Sequence, residues 1–161
     1  MKKAKKPEDV IEAYHLLKKK WPELALTMAG DGYLRKDMMS ENPDIDIPGY
    51  LDKESKDALV KRSWAIAVPG VREGWGQVIT DANALGTPAV GYDVPGLRDS
   101  IQNGYNGLLV DPNPRSMAEG LDKILSQEAT RSLMSRNALE WSRKFNWDKS
   151  AALFEEILEH S

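Results

Sequence analysis

The sequence predicts an α/β domain: a single Rossmann-like parallel sheet with helices on both faces. Three observations carry this. Apolar strand-like runs alternate strictly with amphipathic helical patterns, glycines gather where those runs end, and no repeat, low-complexity tract or linker breaks the alternation over 161 residues. In such sheets ligands bind beyond the carboxyl ends of the strands, where strand order reverses. The loops after Ala29, Ile47, Val68 and Tyr92 are therefore the expected site walls.

Each element has a local cause. Pro7 opens a helix to about residue 20, because the missing proline donor is one a helix start leaves unpaired; Val10, Ile11, Tyr14 and Leu17 form its apolar face. Residues 24–29 read as a strand ended by Gly30-Asp31-Gly32, and residues 33–40 as a short helix. Ile45-Asp46-Ile47 is a strand remnant before Pro48-Gly49-Tyr50. Asp52 is placed to cap a helix over residues 53–62, followed by a buried strand over residues 64–68. A helix starts near Gln77, then come a strand over residues 89–92, a helical turn over 95–101 and a strand over 108–110. Helical periodicity closes the chain over residues 116–125, 128–145 and 148–159.

Composition narrows the function classes. With 41% hydrophobic and 29% charged residues, the chain can bury a sizeable core. A net charge of −3, without a basic stripe interleaved with aromatics, argues against a nucleic-acid partner. The absence of cysteine removes disulfides, thiolate metal sites and cysteine nucleophiles. No apolar run approaches the roughly 18 residues of a membrane span, and the lysine-rich start has no hydrophobic stretch behind it. A cytoplasmic location is expected, with attachment to the inner membrane face as the variant. His15 and His160 lack ligand spacing with any acid, so no metal site is expected.

The most informative stretch is residues 68–97. An apolar strand gives way to Gly70, Gly74 and Gly76, which let the backbone turn tightly and approach a ligand closely, and a helix begins at Gln77. The first amides of that helix are unpaired within it and point beyond the strand's carboxyl end, which favours phosphate or another anion. Glu73 and Asp81 frame the spot with two carboxylates. Gly30-x-Gly32 lacks a third glycine, so it is not a dinucleotide fingerprint.

These residues carry a resemblance. Glu73-Gly74-Trp75-Gly76, Asp81-Ala82-Asn83-Ala84-Leu85-Gly86-Thr87-Pro88-Ala89-Val90 and Val94-Pro95-Gly96 resemble the signature of family 4 (group 1) retaining glycosyltransferases of GT-B fold. The likeness runs on through Asn103-Gly104-Tyr105-Asn106-Gly107-Leu108-Leu109-Val110 to Phe145-Asn146-Trp147 and covers nearly the whole chain.

The resemblance implies the C-terminal, donor-binding half of a GT-B enzyme. It implies transfer of a hexose from a nucleotide diphosphate with retention and no cofactor, the donor being a substrate. Glu73 matches the acid that contacts the sugar, and Lys5 the cation that grips the diphosphate; these are the candidate catalytic residues. Asp81 stands where the family has a Glu reaching the ribose diol, one methylene shorter. Gly74, Trp75, Gly76, Gln77, Val78 and Ile79 form the phosphate-binding turn, with the amides of residues 76–79 as its donors. Gly30 and Gly32 match the glycine pair beneath the nucleotide, and Tyr50 and Leu51 lie where backbone groups read the base. Arg72 is a further partner for Glu73 or a phosphate.

Plainer readings compete for each. Glu73 can neutralise a helix start, Asp81 can be a solvated helix acid, Trp75 can be packing, and Lys5 can belong to a solvated basic end with Lys2, Lys3 and Lys6. By the family pattern, the first strand and the N-terminal acceptor domain are expected to be absent. The chain should then bind a donor more readily than it turns one over, and the last helix should pack on the acceptor half or form a homodimer. The alternatives are a non-enzymatic binding or interaction domain and a fragment of a GT-B nucleotide-sugar epimerase.

Overall fold

The computed structural model describes residues 5–32, 35–145, 151 and 154–158. In chain order these form α1 (Pro7–Lys18), β1 (Thr27–Ala29), α2 (Arg35–Glu41), β2 (Asp46–Gly49), α3 (Lys53–Arg62) and β3 (Ile66–Val68). Then follow α4 (Gln77–Ala84), β4 (Ala89–Tyr92), α5 (Leu97–Ser100), β5 (Gly107–Val110), α6 (Pro114–Ser126) and α7 (Glu128–Ser142). The α/β alternation is as expected, and every strand pairing is parallel.

The hydrogen-bonded ladder comes in two parts, β1–β2 and β3–β4–β5. β4 is the inner strand of the larger part. All four of its residues are buried, as an apolar strand covered on both faces must be. Gly107 lets β5 close against it, since a Cβ there would stand 2.2 Å from the Ala89 carbonyl oxygen. α1 joins the two parts. Its Ala13 and Leu17 enter the core built on Val90, Ile79, Leu97 and Met117, while its Tyr14 enters a smaller core with Met38, Ile45 and Ile47. Leu24 packs against both.

Element ends differ from the sequence expectation for local reasons. The first strand is paired only from Thr27, because the chain is still turning at Leu24, whose amide bonds to the Trp21 carbonyl and whose own carbonyl accepts from Lys18 Nζ at 2.7 Å. Before β3, Ser63 closes α3 by donating to the Val60 carbonyl, so the ladder starts at Ile66 rather than Trp64. α6 begins two residues early because Asn113 caps it, accepting from the Ser116 amide at 2.9 Å, with Pro114 at the first helical position. Asp52 caps α3 as expected, through the Ser55 amide at 2.8 Å. Of the final predicted helix, residues 154–158 are helical; residues 146–150, 152–153 and 159–161 lie outside the described residues, as do Lys2, Lys3, Tyr33 and Leu34.

Candidate functional site

The carboxyl ends of β3 and β4 open onto two loops that press together. Val68 ends β3, and the chain returns through Gly70 and Glu73 to the start of α4. A Cβ at Gly70 would stand 2.3 Å from Glu73 Oε1, so the carboxylate folds back over this turn. Gly96, with φ +85°, sits under the same residue from the other side: a Cβ there would lie 2.1 Å from the Glu73 carbonyl oxygen. Gly76 has φ +73°, and a Cβ on it would meet Leu97 Cδ2 and Ser100 Oγ at 2.9 Å each. Only glycine satisfies both the backbone and the space at these last two positions.

The structure brings Lys5 and Glu73 together. Lys5 Nζ lies 2.5 Å from Glu73 Oε1; the carboxylate side chain is mostly covered at 11% exposure, and the ammonium side chain is 57% exposed. Arg72 is exposed and makes no ion pair among the described residues, so Lys5 holds the place offered to it.

Gly76 caps α4 with no side-chain hydrogen bond, leaving the helix's first donors to solvent or a ligand. One expected phosphate donor must be withdrawn. The Ile79 amide bonds to the Gly76 carbonyl at 2.8 Å, and the Ile79 side chain is fully buried in the core. The tight first turn thus leaves Gln77 and Val78, whose side chains are exposed, as the helix-start donors. Gly74 has open space where a Cβ would be.

Asp81 lies one turn further along α4, half-exposed and 3.7 Å from Lys56 of α3, a contact that sequence reading missed. Trp75 is 40% exposed and packs edge-on to Phe145 at 5.1 Å, which in turn meets Trp141 at 5.2 Å. Gly30 and Gly32 have φ of +125° and +151°, and the Gly30 amide bonds to the Gly49 carbonyl at 2.7 Å, tying the loops after β1 and β2 together. Tyr50 projects into solvent at 80% exposure, whereas Leu51 lines a groove of about 330 Å³ with Ser55 and Ala58 of α3.

A second feature was not legible beforehand. Tyr92, fully buried at the end of β4, donates its hydroxyl proton to Asp9 Oδ2 across 2.6 Å, and Lys6 Nζ lies 3.4 Å from the same oxygen. Burial, reinforced by that carboxylate, pushes the phenol's pKa well above its ordinary value. The one available signal was an acid in the first turn of an otherwise apolar helix face.

A groove of about 800 Å³ lies elsewhere, between α1 and α2, lined by Ile11, Leu16 and Met38 with Glu8, Glu12 and Glu41. It shares no residue with the predicted site. Among the described residues, no group of three His, Asp or Glu could hold a metal ion, and no helix is long and apolar enough to cross a membrane.

Comparison with known proteins identifies the family and the fold. The family Glycosyl transferases group 1 matches residues 1–141. The chain is 39% identical over 87 residues to a D-inositol 3-phosphate glycosyltransferase of a Nocardioides species, covering 53% of this chain and 19% of that protein. A protein of the same description from Paenarthrobacter aurescens is 28% identical over 169 residues, covering 95% of this chain and 40% of its own. The chain thus spans well under half of these curated relatives. Among solved structures, the pneumococcal O-GlcNAc transferase GtfA in complex with UDP and GlcNAc superposes with a TM-score of 0.85 at 20% identity, covering 99% of this chain and 34% of that one. Anabaena HepE in complex with UDP-glucose gives 0.85 at 18% identity, covering 100% and 47%. The fold is that of one part of these GT-B glycosyltransferases, and the chain belongs to the group 1 glycosyl transferase family.

Proposed function

We propose that this chain is the donor-binding part of a retaining hexosyltransferase and binds a nucleotide-diphosphate sugar at the mouth of β3 and β4. One observation carries the reading: the Glu73 carboxylate, the Lys5 ammonium and the uncapped start of α4 meet at that mouth. Lys5 and the amides of Gln77 and Val78 face the diphosphate, Glu73 the sugar hydroxyls, and Asp81 the ribose diol. Without donor, Lys5 and Glu73 neutralise one another. A diphosphate would draw Lys5 away and leave Glu73 free to accept from the sugar.

The chemistry asks for charge stabilisation on the leaving group. As the glycosidic bond breaks, negative charge grows on the departing diphosphate, and fixed donors that need not reorganise stabilise it better than water. Loss of one such donor typically costs about 2.7–4 kcal/mol of transition-state stabilisation. In this reading the leaving phosphate takes the acceptor's proton as the bond to the sugar breaks. UDP and UDP-glucose in complexes of fold neighbours support the donor class.

The acceptor half is proposed to be a separate domain. Phe154, Ile157 and Leu158 are 63%, 56% and 61% exposed at i, i+3 and i+4 of one helical stretch, which suits an apolar partner such as that domain or a second copy.

Isothermal titration with UDP-, GDP- and ADP-sugars tests the reading. Saturable binding to at least one donor is expected, weakened severalfold by Asp81→Ala. No saturable binding to any would overturn it in favour of an interaction domain.

A further inference from the structure

We propose that Tyr92 and Asp9 are positioning residues that hold Lys5 against Glu73. Lys5 enters the site from the segment leading into α1, and two observations show that this segment is held rather than relaxed. Lys6 is the one non-glycine residue among the described residues with positive φ, at 44°, and as the N-cap of α1 it makes no side-chain cap bond. A left-handed lysine is strained and persists only where its surroundings over-determine it.

The surroundings that do so converge on Asp9. Its amide bonds back to the Lys6 carbonyl at 3.1 Å, and its carboxylate meets Lys6 Nζ and the Tyr92 hydroxyl. Tyr92 is rigid, since it is fully buried, ends the inner strand and pairs there with Val110. Asp9 therefore fastens the first turn of α1 to β4, and the turn aims Lys5 across the mouth to Glu73, whose backbone lies against Gly96 in the loop after that same strand. One strand end thus sets both the ammonium and the carboxylate. The consequence for donor binding rests on the function proposed above; the geometric coupling does not.

Carbodiimide treatment of the full chain tests the coupling, since it joins a contacting lysine and carboxylate as an amide that mass spectrometry can quantify. The Lys20–Asp122 pair, at 2.7 Å on the α1–α6 side, serves as internal standard. Tyr92→Phe should lower the Lys5–Glu73 yield severalfold relative to that standard. Asp9→Asn, which keeps an acceptor oxygen for the hydroxyl, should stay near wild type. An unchanged ratio in Tyr92→Phe, or an equal fall of both products, overturns the proposal. If Tyr92→Phe does not fold, Asp9→Ala at the same buried contact decides by the same ratio.

A double-mutant cycle on nucleoside diphosphate affinity reads the consequence. Tyr92→Phe should weaken UDP, GDP or ADP binding severalfold but have no further effect in a Lys5→Met background. Equal losses in both backgrounds would assign Tyr92 a merely structural role and overturn positioning. If the wild type binds no nucleoside diphosphate, the function proposal fails while the cross-link ratio still decides this one.

Discussion

The side-chain amide of Asn106 donates to Asn83 Oδ1 across 2.6 Å, with both residues fully shielded from solvent. Asn83 donates on to the Thr87 carbonyl, Asn106 also bonds to the Ser100 carbonyl and accepts from the Gln102 amide, and Trp141 Nε1 reaches the same Ser100 carbonyl. This satisfied network locks α4 to the turn before β5 and to α7. Asn106→Leu leaves several of these groups unpaired, and a stability loss of about 3 kcal/mol is expected in urea unfolding. A loss near zero would show that the network is incidental.

Gly96→Ala should cost both stability and nucleotide affinity, because the new methyl would strike the Glu73 carbonyl. Gly104→Ala is the control: it has φ +82° and nothing within 4 Å, so only the left-handed penalty of about 1 kcal/mol applies, with affinity unchanged. Equal effects of the two on affinity, measured by titration, would detach the Glu73 loop from binding.

Acid should loosen the α1–α6 contact. Asp122 accepts from Lys20 Nζ and Trp21 Nε1, and these bonds, the lysine's foremost, hold its carboxyl below the ordinary pKa. A depressed folded pKa stabilises above the unfolded value of about 3.9 and loses that contribution as pH falls through the folded one. Asp122→Asn should therefore flatten the decline of melting temperature below about pH 4. A wild-type slope in the variant would refute this.

Lys56→Ala should change nucleotide affinity by less than about twofold, since Lys56 and Asp81 form a half-exposed pair worth little. Asp81→Ala should weaken binding much more. Titration of both variants checks the contrast, and equal losses would make the pair itself, not the Asp81 carboxylate, the binding element.

Much of this architecture was legible in advance because it is written locally. Pro7, Asp52 and the glycine-punctuated turn before Gln77 each announce a helix start through backbone chemistry, and residues 89–92 read as a strand. The candidate residues Glu73, Gly74 and Gly76 could be singled out for the same reason, since they lie within four positions. What escaped depends on long-range packing. The Tyr92–Asp9 bond spans 83 positions, and the Lys56–Asp81 pair depends on how α3 lies beside α4. The Ile79 amide was misjudged because a tight first turn, visible only in three dimensions, consumes it.

The central claim is that a nucleoside diphosphate sits on the glycine turn and the opening of α4. Amide chemical-shift mapping in 15N-labelled protein titrated with UDP, GDP and ADP tests it most directly. Saturable shifts are expected at Gly74, Gly76, Gln77 and Val78, with smaller ones at Asp81. Shifts confined to the groove between α1 and α2, or no saturable shifts with any of the three, would contradict the account.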